Sequence, residues 1–233
     1  RGWVGEGGLV QFEAIYRETD LQVLAGKDLK FETEALIKKH RAPLEDYIRG
    51  HEYFLKSLAP VEVEPDAPQI VKDMADAAKA AHVGPMAAVA GAMAEYVGRD
   101  LLKLTGEVIV ENGGDIFMKS SEPRIIGIYA GASPFTGKLG IEIDPEDTPL
   151  GICTSSGTVG HSLSFGVADA AVIIAKSAAL ADAAATAVGN AVKPDAPLEK
   201  AIEFGRQIPG LDGILVIKGD KIAFWGKICL REN

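Results

Sequence analysis

Glu107-Val108-Ile109-Val110-Glu111-Asn112-Gly113-Gly114-Asp115-Ile116 is the stretch on which the reading of the fold turns. A short β-branched run follows the Thr105-Gly106 break and runs into a double glycine, which predicts a strand ending at Gly113-Gly114. Upstream, Ile70, Met74, Ala77, Ala78 and Ala81 recur at helical spacing until His82-Val83-Gly84-Pro85. Asp66 is placed to cap that helix, with Pro68 near its first turn. Residues 86–104 resume the helical period, and their small side chains, Ala87 to Ala94, suit a homodimer as well as a core.

Downstream, residues 125–130, 139–143 and 170–175 are short apolar segments bounded by Gly, Pro or Asp and read as strands. Ser177 opens an alanine-rich helix to about Asn190, residues 197–208 form another, and 214–217 with 222–225 make a hairpin over Lys218-Gly219-Asp220-Lys221. At the other end, residues 9–25 have the period of two of paired strands, turning at Glu18-Thr19-Asp20. Helical spacing over 31–49 is interrupted by Pro43, which predicts a kinked or divided helix. The Pro- and Glu-rich segment 59–68 reads as a linker. Strands and helices that segregate without strict βαβ alternation give the fold class α+β.

With 233 residues, the chain suits one domain spanning 1–233 or two small interlocked ones. Its 24 Lys and Arg against 33 Asp and Glu leave a net charge of −9, with no basic stripe, which argues against nucleic-acid binding. No apolar run approaches the roughly 20 residues of a membrane span. The chain opens at Arg1 with no charged segment leading into an apolar core, and a cytoplasmic placement is expected. Cys153 and Cys229 are too few for a disulfide framework or a thiolate zinc site and read as two buried thiols.

Three segments can carry chemistry. Gly113-Gly114 allows a ligand close to main-chain amides with Asp115 at the rim, although a β-turn with Asp as turn-former has the same letters. Residues 151–161, Gly-Ile-Cys-Thr-Ser-Ser-Gly-Thr-Val-Gly-His, read as a hydroxyl-rich loop that can cradle an anion but has no P-loop lysine. The absence of a G-x-S-x-G elbow argues against a Ser/His nucleophile. His161 fits a structural histidine, a ligand contact or a base. Asp182 and Thr186, four apart amid alanines, share a helical face and form a hard-oxygen corner of the kind that holds Mg²⁺; an exposed Asp and a backbone-bonded Thr have the same spacing.

Taken in order, G-G-D at 113–115, T-S-S-G at 154–157 and A-D-A-A-A-T at 181–186 resemble the ApbE family of FAD:protein FMN transferases. The strings GPMAAVAGA from Gly84, VENGGDI from Val110, GICTSSGTVGHS from Gly151 and ALADAAAT from Ala179 are similar to an uncharacterised ApbE-like family. The resemblance implies two interlocked α+β halves with mixed or antiparallel sheets. It implies Asp182 and Thr186 as Mg²⁺ ligands, Gly113, Gly114, Asp115, Thr154, Ser155, Ser156 and Gly157 around a flavin nucleotide, and His161 or Asp115 as general base. FAD would be substrate or ligand, with a protein threonine as acceptor and AMP as leaving group. Two departures stand out: Ala90 occupies the place of the family's A-K-G lysine, and no H-I-x-D-P segment follows the T-S-S-G. They keep open a flavin- or nucleotide-binding module without catalysis, and action on another anionic metabolite.

Overall fold

The computed structural model describes residues 8–157 and 166–232. The chain opens with the antiparallel pair β1 (Val10–Tyr16) and β2 (Thr19–Ala25), which turns at Arg17-Glu18, one position earlier than the sequence suggests. Next comes α1 (Lys30–Gly50), which passes through Pro43 without a break. Thr33, Ile37, Leu44 and Tyr47 form one buried stripe on both sides of the proline. Arg41 spans it, donating to Glu45 at 2.8 Å and to Thr19 at 2.6 Å, so packing and side-chain bonds outweigh the lost amide donor.

After α2 (Glu52–Lys56), residues 57–68 are irregular, yet Ala67 is buried and Val61 and Val63 pack on the core, so this segment is fastened down. The next helix, α3 (Gln69–Ala81), begins after Pro68 with no side-chain cap, so Asp66 is not the cap expected. Pro85–Ala88 form a 3₁₀ turn that leads into α4 (Val89–Leu101). Its small residues are used inside the chain: Gly91, Ala92, Ala94 and Gly98 are buried.

The decisive stretch is a hairpin. β3 (Val108–Asn112) pairs with β4 (Asp115–Lys119), Asn112 facing Asp115, and Gly113 and Gly114 are its two-residue turn at φ +67° and +111°. Only glycine adopts both values readily, and the turn type is one that suits a twisted hairpin. There follow β5 (Arg124–Gly127), β6 (Leu139–Ile143), β7 (Leu150–Ser155), β8 (Ala170–Ala175), α5 (Ala178–Ala191), α6 (Glu199–Gly205), β9 (Leu211–Lys218), β10 (Lys221–Gly226) and β11 (Cys229–Glu232). Residues 150–155 are thus a strand, and the expected loop at 151–161 is corrected over that range.

Eight strands form one sheet in the order β1-β2-β3-β4-β7-β8-β9-β10, so a run from each half of the chain meets at β4 and β7. A second sheet has the order β11-β6-β5. Among the described residues every pairing is antiparallel, which decides between the mixed and antiparallel alternatives. Alternation sends Val108, Val110, Phe117 and Ile173 toward the helices, and Ile109, Ile116, Met118 and Ile174 toward the small sheet. Both faces of the large sheet are therefore buried, in an α+β stack of helices, large sheet and small sheet. No helix among the described residues is long and apolar enough to cross a membrane. Of the two free thiols Cys153 is buried, whereas Cys229 is exposed rather than core.

Candidate functional site

A cavity of about 620 Å³ opens where the β3–β4 hairpin turns and β7 runs on past it. Gly113, Gly114, Asp115, Thr154, Ser155 and Ser156 line it, as do Asp182 and Thr186, so the three segments singled out in the sequence converge on one space. Gly157 lies beyond the lining, exposed, with its N–H donating to Ala168 O at 2.9 Å. His161 falls outside the described residues. Thr154 and Ser155 reach the cavity from the end of a strand, fixed by pairing with β8, where Thr154 faces Val172 and Ser155 faces Ala171.

The place of Asp182 depends on close helix packing. A Cβ at Gly91 would lie 2.2 Å from the Ala178 carbonyl oxygen and 2.8 Å from Asp182 Cβ, so glycine alone allows α4 and α5 this approach. Because it does, the Gly91 N–H donates to Asp182 Oδ2 at 2.9 Å. Beside it, the Asn112 side-chain amide donates to Ala90 O at 3.1 Å and ties the hairpin to the start of α4. Opposite, the Thr154 N–H donates to Asp115 Oδ1 at 3.3 Å.

Both carboxylates are 9% exposed. Burial pushes Asp115 up to about 7, and the Glu111 charge adds to the rise against the Cys153 and Thr154 hydrogen bonds. Burial likewise drives Asp182 well above the usual carboxylate range, with the Asp115 charge next in size and the Gly91 and Ala90 N–H groups opposing. The Cys153 thiol is pushed up by burial and then by those same two carboxylates. Glu18 and Glu111 add two acids to the lining, and no Lys, Arg or His occurs in it among the described residues.

Magnesium fits this corner. Two desolvated carboxylates line one cavity with no Lys, Arg or His in the lining among the described residues, and Thr186 stands one helical turn from Asp182. Among the described residues no three His, Cys, Asp or Glu side chains gather closely enough to enclose a metal by themselves.

The lining also holds apolar side chains that were not read from the sequence: Ile126, Ile128, Tyr129 and Ile141 of the small-sheet layer, with Ile152 and Val172 of the large sheet. Their positions depend on how two sheets stack, which no local pattern encodes. Glu111 stands inside the decisive stretch and could have been noted there. Glu18 is a turn residue of the first hairpin with no signal of its own.

Comparison with solved structures defines the class: the chain has the ApbE-type fold. It matches flavinyl transferase ApbE of Pseudomonas stutzeri, apo form, with a TM-score of 0.59 at 13% identity, over 93% of this chain and 94% of that one. The flavin transferase ApbE of Vibrio cholerae matches with a TM-score of 0.60 at 13% identity, over 93% and 96%. At such identities the likeness is one of fold. In sequence the chain is 48% identical over 200 residues to UPF0280 protein MJ1526 of Methanocaldococcus jannaschii, covering 84% of this chain and 81% of that protein. It is 44% identical over 214 residues to the UPF0280 protein of Methanocella arvoryzae, covering 91% and 86%. The model of the family described as AbpE bacteria matches residues 1–212, and the chain belongs to that family.

Proposed function

We propose that the cavity binds a flavin nucleotide, FAD, together with magnesium and presents it for transfer of its FMN part to a protein threonine. The observation that carries this is that the buried Asp115 and Asp182, with Thr186, line the same cavity as the apolar Ile126, Ile128, Tyr129 and Ile141. A planar fused ring suits Ile126, Ile128, Tyr129 and Ile141, while a pyrophosphate suits Asp115 and Asp182 only with its charge neutralised. Asp182 and Thr186 would hold the magnesium. When bound there, it supplies the positive charge that the lining lacks.

This chain's own groups do the rest. The hairpin turn at Gly113-Gly114 brings main-chain atoms close to the ligand, and Thr154, Ser155 and Ser156 offer hydroxyls. Asp115, held near neutrality, is suited to take the proton of the acceptor hydroxyl as its oxygen bonds to the FMN phosphorus and AMP departs. His161, in residues 158–165, is the alternative base in this proposal.

One observation favours a second reading, a flavin-binding module without turnover. Ala90 lines the cavity wall where the resemblance calls for a lysine, so one phosphate contact is missing. Incubation of the full chain with FAD, Mg²⁺ and a threonine-bearing acceptor separates the two. AMP release that requires Mg²⁺ and acceptor supports transfer. Thermal stabilisation by FAD with no AMP supports the module; a ligand at 100 times its Kd stabilises by about 2.7 kcal/mol. No stabilisation by FAD with or without Mg²⁺ refutes both.

A further inference from the structure

Glu95 lies outside the cavity yet joins the two helices that build its metal corner. As a residue it is 8% exposed. One oxygen, Oε2, accepts the Ala178 N–H at 2.7 Å and the Ser177 hydroxyl at 3.1 Å, at the start of α5. The other, Oε1, accepts Arg99 Nε at 2.9 Å and Nη2 at 2.7 Å from the next turn of α4. A carboxylate on the first amides of a helix is favourable both as a hydrogen-bond acceptor and through the helix dipole.

The spacing makes this more than a cap. Gly91 and Glu95 are four apart on α4, and Ala178, Asp182 and Thr186 follow one another at intervals of four on α5. Each series is therefore a stripe on one helical face. The two stripes are joined twice, Glu95 to Ala178 and Gly91 to Asp182. The first bond sets the register in which the second can form. Ala178 is also wedged against β7, because a Cβ at Gly151 would lie 2.3 Å from its Cα.

We infer that Glu95 is a positioning residue for the metal corner: by anchoring the start of α5 on α4 it holds Asp182 and Thr186 in the arrangement that takes magnesium. This rests on the magnesium reading above. In Glu95→Gln an amide replaces the carboxylate and sets N–H donors against the donors of Arg99 or Ala178, with little change in volume.

The test is calorimetric titration of Mg²⁺ into the full chain, its Glu95→Gln variant and Asp100→Asn. Asp100 is also on α4 but faces away from α5, taking Lys39 at 2.7 Å and His40 at 2.9 Å from α1, so it controls for general loss of stability. Glu95→Gln is expected to weaken Mg²⁺ binding by about tenfold or more, as loss of a group that orients metal ligands does, while Asp100→Asn leaves it unchanged. Parent-like affinity in Glu95→Gln, or equal weakening in both variants, overturns the inference and leaves the magnesium reading standing. A parent chain that takes up no Mg²⁺ overturns both. If Glu95→Gln does not fold, Ser177→Ala is read in its place: weaker binding supports the anchor, and unchanged binding refutes it.

Discussion

Asp115 and Asp182 face one cavity, each desolvated, and each charge makes the other less favourable. A carboxyl whose folded pKa stands above its unfolded value favours the folded chain while it is protonated. For Asp115 that contribution is complete below the ordinary 3.8 and is lost as pH rises through about 7. Denaturant unfolding of the metal-free chain across this range is expected to show the decline. Asp115→Asn, which cannot ionise, is expected to reduce it and to leave the variant more stable than its parent above neutral pH, by on the order of a few kcal/mol. Parallel pH profiles for the two proteins would show that Asp115 is not strained by its burial. Asp115, Asp182, Thr186, Thr154 and Ser155 were legible in sequence because each stands in a motif with a short-range reason. The bonds from Gly91 to Asp182 and from Asn112 to Ala90 were not, since they join separate segments of the chain.

Between elements, the α4–α5 contact decides where Asp182 and Thr186, the proposed magnesium ligands, stand. In Gly91→Ala the added methyl would meet the Ala178 carbonyl at 2.2 Å, and the helices must separate. Overpacking of this kind costs typically about 1–3 kcal/mol. Thermal unfolding should register that loss, and Mg²⁺ binding should weaken with it because the Gly91 N–H leaves Asp182 Oδ2. Unchanged unfolding and metal affinity would mean that the approach is looser than the geometry shows. Helices are where the sequence was read with least error, but their ends and breaks depended on context. Pro43 stays within α1 because buried residues on either side belong to one stripe, and α3 starts without Asp66 because the cap position falls two residues later, on Pro68. The glycines and hydroxyls of residues 151–161 give the sequence pattern of a loop, yet 151–155 are strand. Pairing with β4 on one side and β8 on the other makes them strand.

Across the whole molecule, the antiparallel sheet is buried on both faces, and the ligand cavity lies where the small-sheet core meets the hairpin end. Ile141 belongs to both that core and the cavity lining. Ile141→Ala is expected to destabilise the fold by about 2–5 kcal/mol. It should also weaken FAD binding more than Mg²⁺ binding, since it removes apolar lining and leaves Asp182 in place; titration with each separately measures this. Equal effects on both would place the flavin elsewhere. The α+β class was legible from segregated strands and helices, and the ApbE-type arrangement from motif order. The stacking of two sheets was not, because continuous apolar strands such as 170–175 do not say which layer covers each face.

In the proposed function this cavity takes FAD through magnesium held at Asp182. The most direct measurement is a calorimetric titration of FAD into the full chain with and without Mg²⁺, repeated on Asp182→Ala. Binding that requires Mg²⁺ and disappears in Asp182→Ala is the expected result. FAD binding that is indifferent to both, or no binding under any of these conditions, would contradict the claim.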